Sequence, residues 1–279
     1  MRKCLFPPES KEIQFDEKWS FVRKKEKNCH ENEESFGEQW DHIAIDAESR
    51  LVLSVVVGKR TPENCRKLVE DTYNRTGERK NILLSSDCFS SYKTTIKDIY
   101  GSKSVPKKKK GITRTTKKPV TVIPEELCYV TVCKEYEKGK VSSIKREIVF
   151  GKEELVINKL KNSKVSTTIN TAFVERNNGT DRMQNSRKVR DTYGFSKDLF
   201  YHISITFLVY CLYNFCWCVR TLKYKNDGNI ITQTPAMAAG LESHIWTVGE
   251  WITYPVYDMY TYYQINNISH APKHAPNVA

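Results

Sequence analysis

The sequence predicts an α/β domain on a mixed sheet: three antiparallel strands, then parallel strands, flanked by helices, with a helical C-terminal part. Three observations carry that expectation. Residues 11–57 alternate apolar and polar positions in three runs separated by polar turns. A helix start with a cap follows at Thr61. Ile82-Leu83-Leu84 is then a short continuous apolar run, the pattern of a buried parallel strand.

In the first strand, Lys11 to Val22, alternation puts Ile13, Phe15, Trp19 and Phe21 on one face. Trp40 to Asp46 and Leu51 to Val57 form the next two, joined by the polar turn Ala47-Glu48-Ser49-Arg50. Gly58-Lys59-Arg60 ends the third. Thr61 then caps a helix with Pro62 at its first position, Glu63 in its first turn, and Leu68, Val69 and Tyr73 as an apolar stripe. The strand from Asn81 to Ser86 stops at Asp87, and Leu127 to Tyr136 reads as another. From Thr167 the pattern is helical to about Leu222, with a break near Gly194. A short segment at Thr234 to Gly240, a helix near Trp246 and a Tyr-rich stretch from Tyr254 to Tyr263 follow. The expected division is a 1–10 extension, an 11–222 core, a 223–251 helical segment, and a 252–279 Tyr-rich segment with a disordered tail repeating His-Ala-Pro at His270 and His274.

The chain has 279 residues and a net charge of +12, with five Trp, eleven Phe and fifteen Tyr. That aromatic content excludes wholesale disorder, and the basic balance favours an anionic partner, nucleic acid before an anionic membrane surface. The nine cysteines include no paired CxxC. Their odd count, and a Met1 to Ser10 stretch without a signal peptide's apolar region, predict free thiols in a reducing, intracellular setting. The glycosylation triplets at Asn74, Asn178 and Asn267 then read as chance matches. Ile203 to Val219 carries no charge over seventeen residues, but it contains Ser204, Thr206 and Asn214 and sits at the short limit for a membrane span. It is expected to be a helix buried in a soluble core.

Between Gly101 and Pro119 lie Lys103, Lys107, Lys108, Lys109, Lys110, Arg114, Lys117 and Lys118 without one acid. Pro106, Gly111 and Pro119 make this a loop. It reads either as a solvated connector or as a surface that neutralises several phosphates in a salt-dependent way.

Three acids are candidates for chemistry. Asp16 is mid-strand and shares parity with Gln14, Lys18 and Ser20, so locally it reads as an ordinary solvent-facing acid, whereas Glu17 shares parity with the apolar residues. Asp87 ends a buried strand, where a helix cap is the plain alternative; Glu175 on a wet helix face is the plain alternative for the third. Together, an acid on the first strand, one at the end of the fourth and one on a later helix can converge above a sheet. Clustered carboxylates repel unless a divalent cation sits among them, and hard oxygen ligands suit Mg²⁺ or Mn²⁺.

Seven strings in register extend this: Phe15-Asp16-Glu17-Lys18-Trp19-Ser20-Phe21-Val22, Val57-Gly58-Lys59-Arg60, Ser86-Asp87 with Tyr92, Val174-Glu175-Arg176 with Asn178 and Arg182, Phe195-Ser196-Lys197, Tyr213-Asn214-Phe215 and Thr234-Pro235-Ala236-Met237-Ala238-Ala239-Gly240. In this order the chain resembles the DDE transposases of the insertion-sequence-one type, from about residue 13 to 251. The resemblance implies an RNase H-like catalytic core shared with retroviral integrases. It also implies an Asp16, Asp87 and Glu175 triad for two divalent cations, Mg²⁺ or Mn²⁺, and cleavage at element ends with 3′-hydroxyl strand transfer into target DNA. The family pattern is what selects Asp16 over Glu17. Helical spacing separately puts Glu175, Asn178 and Arg182 on one face, which makes Asn178 and Arg182 candidates for DNA contacts beside Lys107 to Lys110, Arg114, Lys117 and Lys118. Tyr92 is expected to pack on the sheet or against DNA, and His202, which also matches the pattern, to be a packed, hydrogen-bonded histidine.

The partners implied are double-stranded DNA, as transposon ends and as target, and either further copies of the chain or a partner that recognises DNA ends; no membrane and no small-molecule substrate are expected. Only fifteen residues precede Asp16, where the family carries a recognition region, so the expectation is a catalytic half. Asp181 places a further acid near the site. A rival reading is a catalytically inactive, transposase-derived protein that binds DNA or inhibits a transposase.

Overall fold

The computed structural model describes residues 9–33, 35–104, 119–189 and 191–254. One compact unit ends at Ile245 and a second begins at Trp246. In the first, β1 (Glu12–Val22), β2 (Gly37–Asp46) and β3 (Val52–Gly58) run antiparallel, and α1 (Pro62–Arg75) leads to β4 (Leu83–Ser86) and α2 (Ser91–Tyr100). β5 (Ser102–Ser104) and β6 (Val120–Val122) form a two-stranded ribbon, after which β7 (Cys128–Glu137) and β8 (Lys140–Phe150) rejoin the main sheet. α3 (Glu153–Lys161), α4 (Ala172–Gln184), α5 (Leu199–Phe215), a hairpin of β9 (Tyr224–Asn226) and β10 (Asn229–Ile231), and α6 (Pro235–Ala238) follow. The second unit carries α7 (Val248–Thr253), opened by a capping box between Thr247 and Glu250.

The main sheet has the order β3-β2-β1-β4-β7-β8. β4 is parallel to β1, β7 is parallel to β4, and β8 is an antiparallel edge. Without β8, the order is three antiparallel strands followed by two parallel ones on the far side of the first, an RNase H-like α/β arrangement. Parallel neighbours need crossovers, and α1 and α2 supply them on one face. That face holds the larger core, where Ile13 and Phe15 meet Leu68, Val69, Leu84, Tyr92 and Ile96. The α1 start follows the sequence: Thr61 Oγ1 accepts from the Asn64 amide at 3.3 Å, with Pro62 in the first turn.

The opposite face of β1 is polar but covered. Gln14 Oε1 accepts the amides of Phe173 and Val174 at 2.9 and 3.2 Å, so it serves donors that the α4 N-terminus leaves unpaired. Asn178 reaches Asp16, Asp181 pairs with Lys18, and His202 lies 3.2 Å from Ser20 Oγ. Alternate β1 side chains thus bind successive turns of α4 and the start of α5. The local reading of Asp16 as solvent-facing is corrected here, because Gln14, Asp16, Lys18 and Ser20 each have a tertiary partner.

Other departures have equally local causes. β8 escapes the sequence reading because it is an edge strand whose first eight residues are exposed, which leaves little apolar alternation. Residues 223–231, expected within a helical segment, form the β9–β10 hairpin instead, with Asp227 and Gly228 at positive φ in the turn. The helical stretch expected from Thr167 to Leu222 resolves into α4 and α5 separated by irregular backbone. α5 is not buried all round: His202, Thr206, Val209, Tyr210 and Tyr213 face inward, whereas Phe200 is 71% exposed. By length and composition alone, 199–222 passes as a membrane-spanning stretch. Free thiols throughout is also corrected, since Cys88 and Cys133 form a disulfide with Cα atoms 5.3 Å apart. The lysine loop, with Lys107, Lys108, Lys109, Lys110, Arg114, Lys117 and Lys118, and the tail beyond Tyr254 lie outside the described residues.

Candidate active site

β1 delivers Asp16, the end of β4 delivers Asp87, and the first turn of α4 delivers Glu175. All three line one cleft of about 610 Å³, together with Arg60, Phe89, Cys88, Cys133, Lys134 and Thr171. The sheet explains why they share it. The parallel register sets Ile13 beside Leu84, so the C-terminal end of β4 opens close to the middle of β1. α4 is anchored over the same point through Gln14.

Each acid has a different partner. Asn178 Nδ2 donates to Asp16 Oδ2 at 2.6 Å. Burial, then the charges of Asp87 and Glu17, push the Asp16 carboxyl up to about 7. Arg60 Nη2 lies 3.3 Å from Asp87 Oδ2, and Asp87 Oδ1 accepts the Phe89 amide at 2.9 Å. Lys134 Nζ donates to both Glu175 oxygens at 2.6 and 2.5 Å, and Thr171 Oγ1 donates to Oε1 at 2.5 Å.

Glu17 points to the other face, as its parity predicts. Its side chain is fully buried, binds Arg60 Nη2 at 2.9 Å and accepts from the Tyr92 hydroxyl. Burial, followed by the Asp87 charge, raises it to about 7. Tyr92 is buried against Phe15, with ring centroids 5.4 Å apart, so it packs on the sheet.

Two anticipated neighbours lie elsewhere. Asp181 belongs to a buried cluster with Lys18, Lys188 and Asp41, and Tyr210 OH lies 3.2 Å from Lys18 Nζ. Burial raises the Asp41 carboxyl, yet the Lys188 and Lys18 ammonium groups outweigh it and hold Asp41 well below the usual range. Arg182, about two turns beyond Glu175 on α4, does not line the cleft, and its charge acts on Lys18 and Lys188. His202 is packed, with Nδ1 2.7 Å from Ser196 Oγ, and burial lowers it to about 4.

Sequence reasoning assigned no role to Arg60, Lys134 or Thr171. Arg60 was visible as the last residue of a strand-terminating string that is also one of the seven strings of the resemblance, but without a role of its own. Lys134 carried no signal, because a lysine late in a strand is an ordinary surface residue.

The donor set suits a hard divalent cation: three carboxylates share one cleft, and burial, with the Asp87 and Glu17 charges added to it, disfavours ionisation of Asp16 in the absence of a compensating charge. Among the described residues no three such side chains converge on one point, since Glu175 is drawn toward Lys134 and Asp87 toward Arg60. Two protein cations, Lys134 and Arg60, thus pair with two of the three carboxylates.

No protein-family model matches the chain, and no curated protein sequence matches it. Among solved structures it is similar to a chain of a pre-cleavage Mos1 transpososome, over 36% of this chain and 40% of that one, at 12% identity and a TM-score of 0.24. It is also similar to a chain of the Mos1 transposase paired-end complex with left transposon end, over 32% of this chain and 33% of that one, at 15% identity and a TM-score of 0.22. Both matches span less than half of the other chain's length.

Proposed function

We propose that this chain is the catalytic core of a DNA transposase of the DDE type, closest in motif order to the insertion-sequence-one group. The observation that carries the reading is the meeting of Asp16, Asp87 and Glu175 in one cleft of an RNase H-like sheet. Its substrates are then double-stranded transposon ends and target DNA inside the cell, handled by several copies of the chain or with a partner that recognises the ends.

The three acids would hold Mg²⁺ or Mn²⁺, which when bound stabilises charge on the oxygens of a phosphodiester undergoing in-line displacement. The chain's own groups prepare that site. Asn178 fixes one Asp16 oxygen, the Phe89 amide fixes one oxygen of Asp87, and Thr171 orients Glu175. Lys134 and Arg60 lower the cost of bringing polyanionic DNA up to three acids. No side chain needs to act as a covalent nucleophile.

A specific observation favours a second reading. Lys134 and Arg60 already neutralise Glu175 and Asp87, as expected of a DNA-binding or transposase-inhibiting relative without catalysis. Incubating the purified chain with supercoiled plasmid and Mn²⁺ or Mg²⁺, beside Asp87→Asn and Glu175→Gln, separates the two. The transposase reading expects metal-dependent nicking by the unaltered chain and at least a hundredfold less by either variant, roughly 3 kcal/mol of transition-state stabilisation. Equal nicking by all three proteins, or none by any, sinks it.

A further inference from the structure

A guanidinium fixed on a buried carboxylate and clamped between rings is a preorganised receptor for an oxyanion. Arg60 has that form. Nε and Nη2 donate to Glu17 Oε2 at 3.3 and 2.9 Å, and Glu17 is itself inaccessible to solvent. Its guanidinium carbon lies 4.9 Å from the ring centre of Trp40 and 4.4 Å from that of Phe89. The group nevertheless remains 34% exposed and lines the cleft beside Asp87.

Its donors are unevenly used. Nη2 is shared between Glu17 and a long, 3.3 Å contact to Asp87, and Nη1 makes no hydrogen bond among the described residues. If stabilising Glu17 were its whole task, a fully buried side chain would serve better. Instead, the carboxylate that anchors it is buried while the arginine side chain stays partly exposed and lines the cleft. We infer that Arg60 is a phosphate-binding residue, taking an oxygen of a nucleic-acid phosphodiester next to Asp87. The inference rests on the cleft being a DNA-processing site and adds to it a residue and a ligand atom.

The test uses the full chain, a fluorescein-labelled DNA duplex and EDTA, so that neither metal nor turnover contributes. Binding is followed by anisotropy across a salt series for the unaltered chain, Arg60→Gln, Arg60→Lys, Glu17→Gln and the double variant Glu17→Gln/Arg60→Gln. The double variant guards against misfolding, because it leaves no unpaired buried carboxylate. Arg60→Gln and the double variant should bind roughly tenfold more weakly. Their slope of log affinity against log salt should be shallower by about one. Arg60→Lys and Glu17→Gln, which keep the cation, should retain the slope. An unaltered slope and affinity in the double variant would overturn the role of Arg60 while leaving the DNA reading intact. Absence of duplex binding by the unaltered chain would overturn the reading beneath it.

Discussion

The Lys134 ammonium sits 2.6 and 2.5 Å from the two carboxylate oxygens of Glu175, on the wall of the cleft that also holds Asp16 and Asp87. A cation bound through Glu175 has to displace this ammonium or share the carboxylate with it. Both partners are partly exposed, which limits such a pair to about 1 kcal/mol or less. Lys134→Met should therefore tighten Mn²⁺ binding by roughly two- to fivefold, measured as free Mn²⁺ by electron paramagnetic resonance. An unchanged affinity would show that the ammonium does not compete.

The cluster of Lys18, Lys188, Asp41 and Asp181 is buried and pairs two lysines with two acids. Asp181→Asn leaves one buried charge uncompensated and should cost about 3–5 kcal/mol in urea unfolding. Lys18→Met/Asp181→Leu removes an entire pair and should recover most of that loss. If the double variant is as unstable as the single one, charge imbalance is not the cause.

His202 contributes a pH dependence of definite sign. Burial lowers its imidazole from 6.5 to about 4, so the fold holds the neutral ring. Between those values the unfolded chain takes up a proton that the folded chain does not. The contribution is complete above pH 6.5 and is lost as pH falls toward 4, about 3 kcal/mol at most. Unfolding at pH 7 and pH 4.5 should show a drop larger in the unaltered chain than in His202→Gln by about 2 kcal/mol. Equal drops would falsify the buried-neutral assignment.

Cys88 and Cys133 lie 45 residues apart and join the segment after β4 to β7. Cross-linking a loop of that length restricts the unfolded chain by about 4 kcal/mol on the chain-entropy account. Peptide mapping of alkylated, unreduced protein should recover the linked pair, and reduction should lower stability by about that amount. Full alkylation of both cysteines before reduction would refute the pairing.

The odd-numbered face of β1, the Thr61 cap and the buried run at Ile82 were legible because each rests on neighbours in sequence: side-chain alternation, a hydroxyl next to free amides, a continuous apolar string. The even-numbered face was not. Asp16 and Lys18 look solvent-facing until α4, more than 150 residues later, lies across them. The disulfide had no spacing signal, since its two cysteines meet only when β4 and β7 pair. Likewise, the string Val57-Gly58-Lys59-Arg60 placed Arg60 in the resemblance, but nothing local showed that it would meet Glu17 and Asp87.

The sequence by itself determined the α/β class and the order of the first four strands and helix, and its ordered motifs put forward Asp16, Asp87 and Glu175 as candidates. Tertiary structure decided what surrounds them: Asn178 on Asp16, Arg60 between Glu17 and Asp87, Lys134 on Glu175, and Asp181 removed to a buried cluster. The reason is physical. Alternation and capping are short-range properties that a strand or helix carries with it. A charge finds its partner only when the sheet brings distant segments together and burial makes an unpaired group costly.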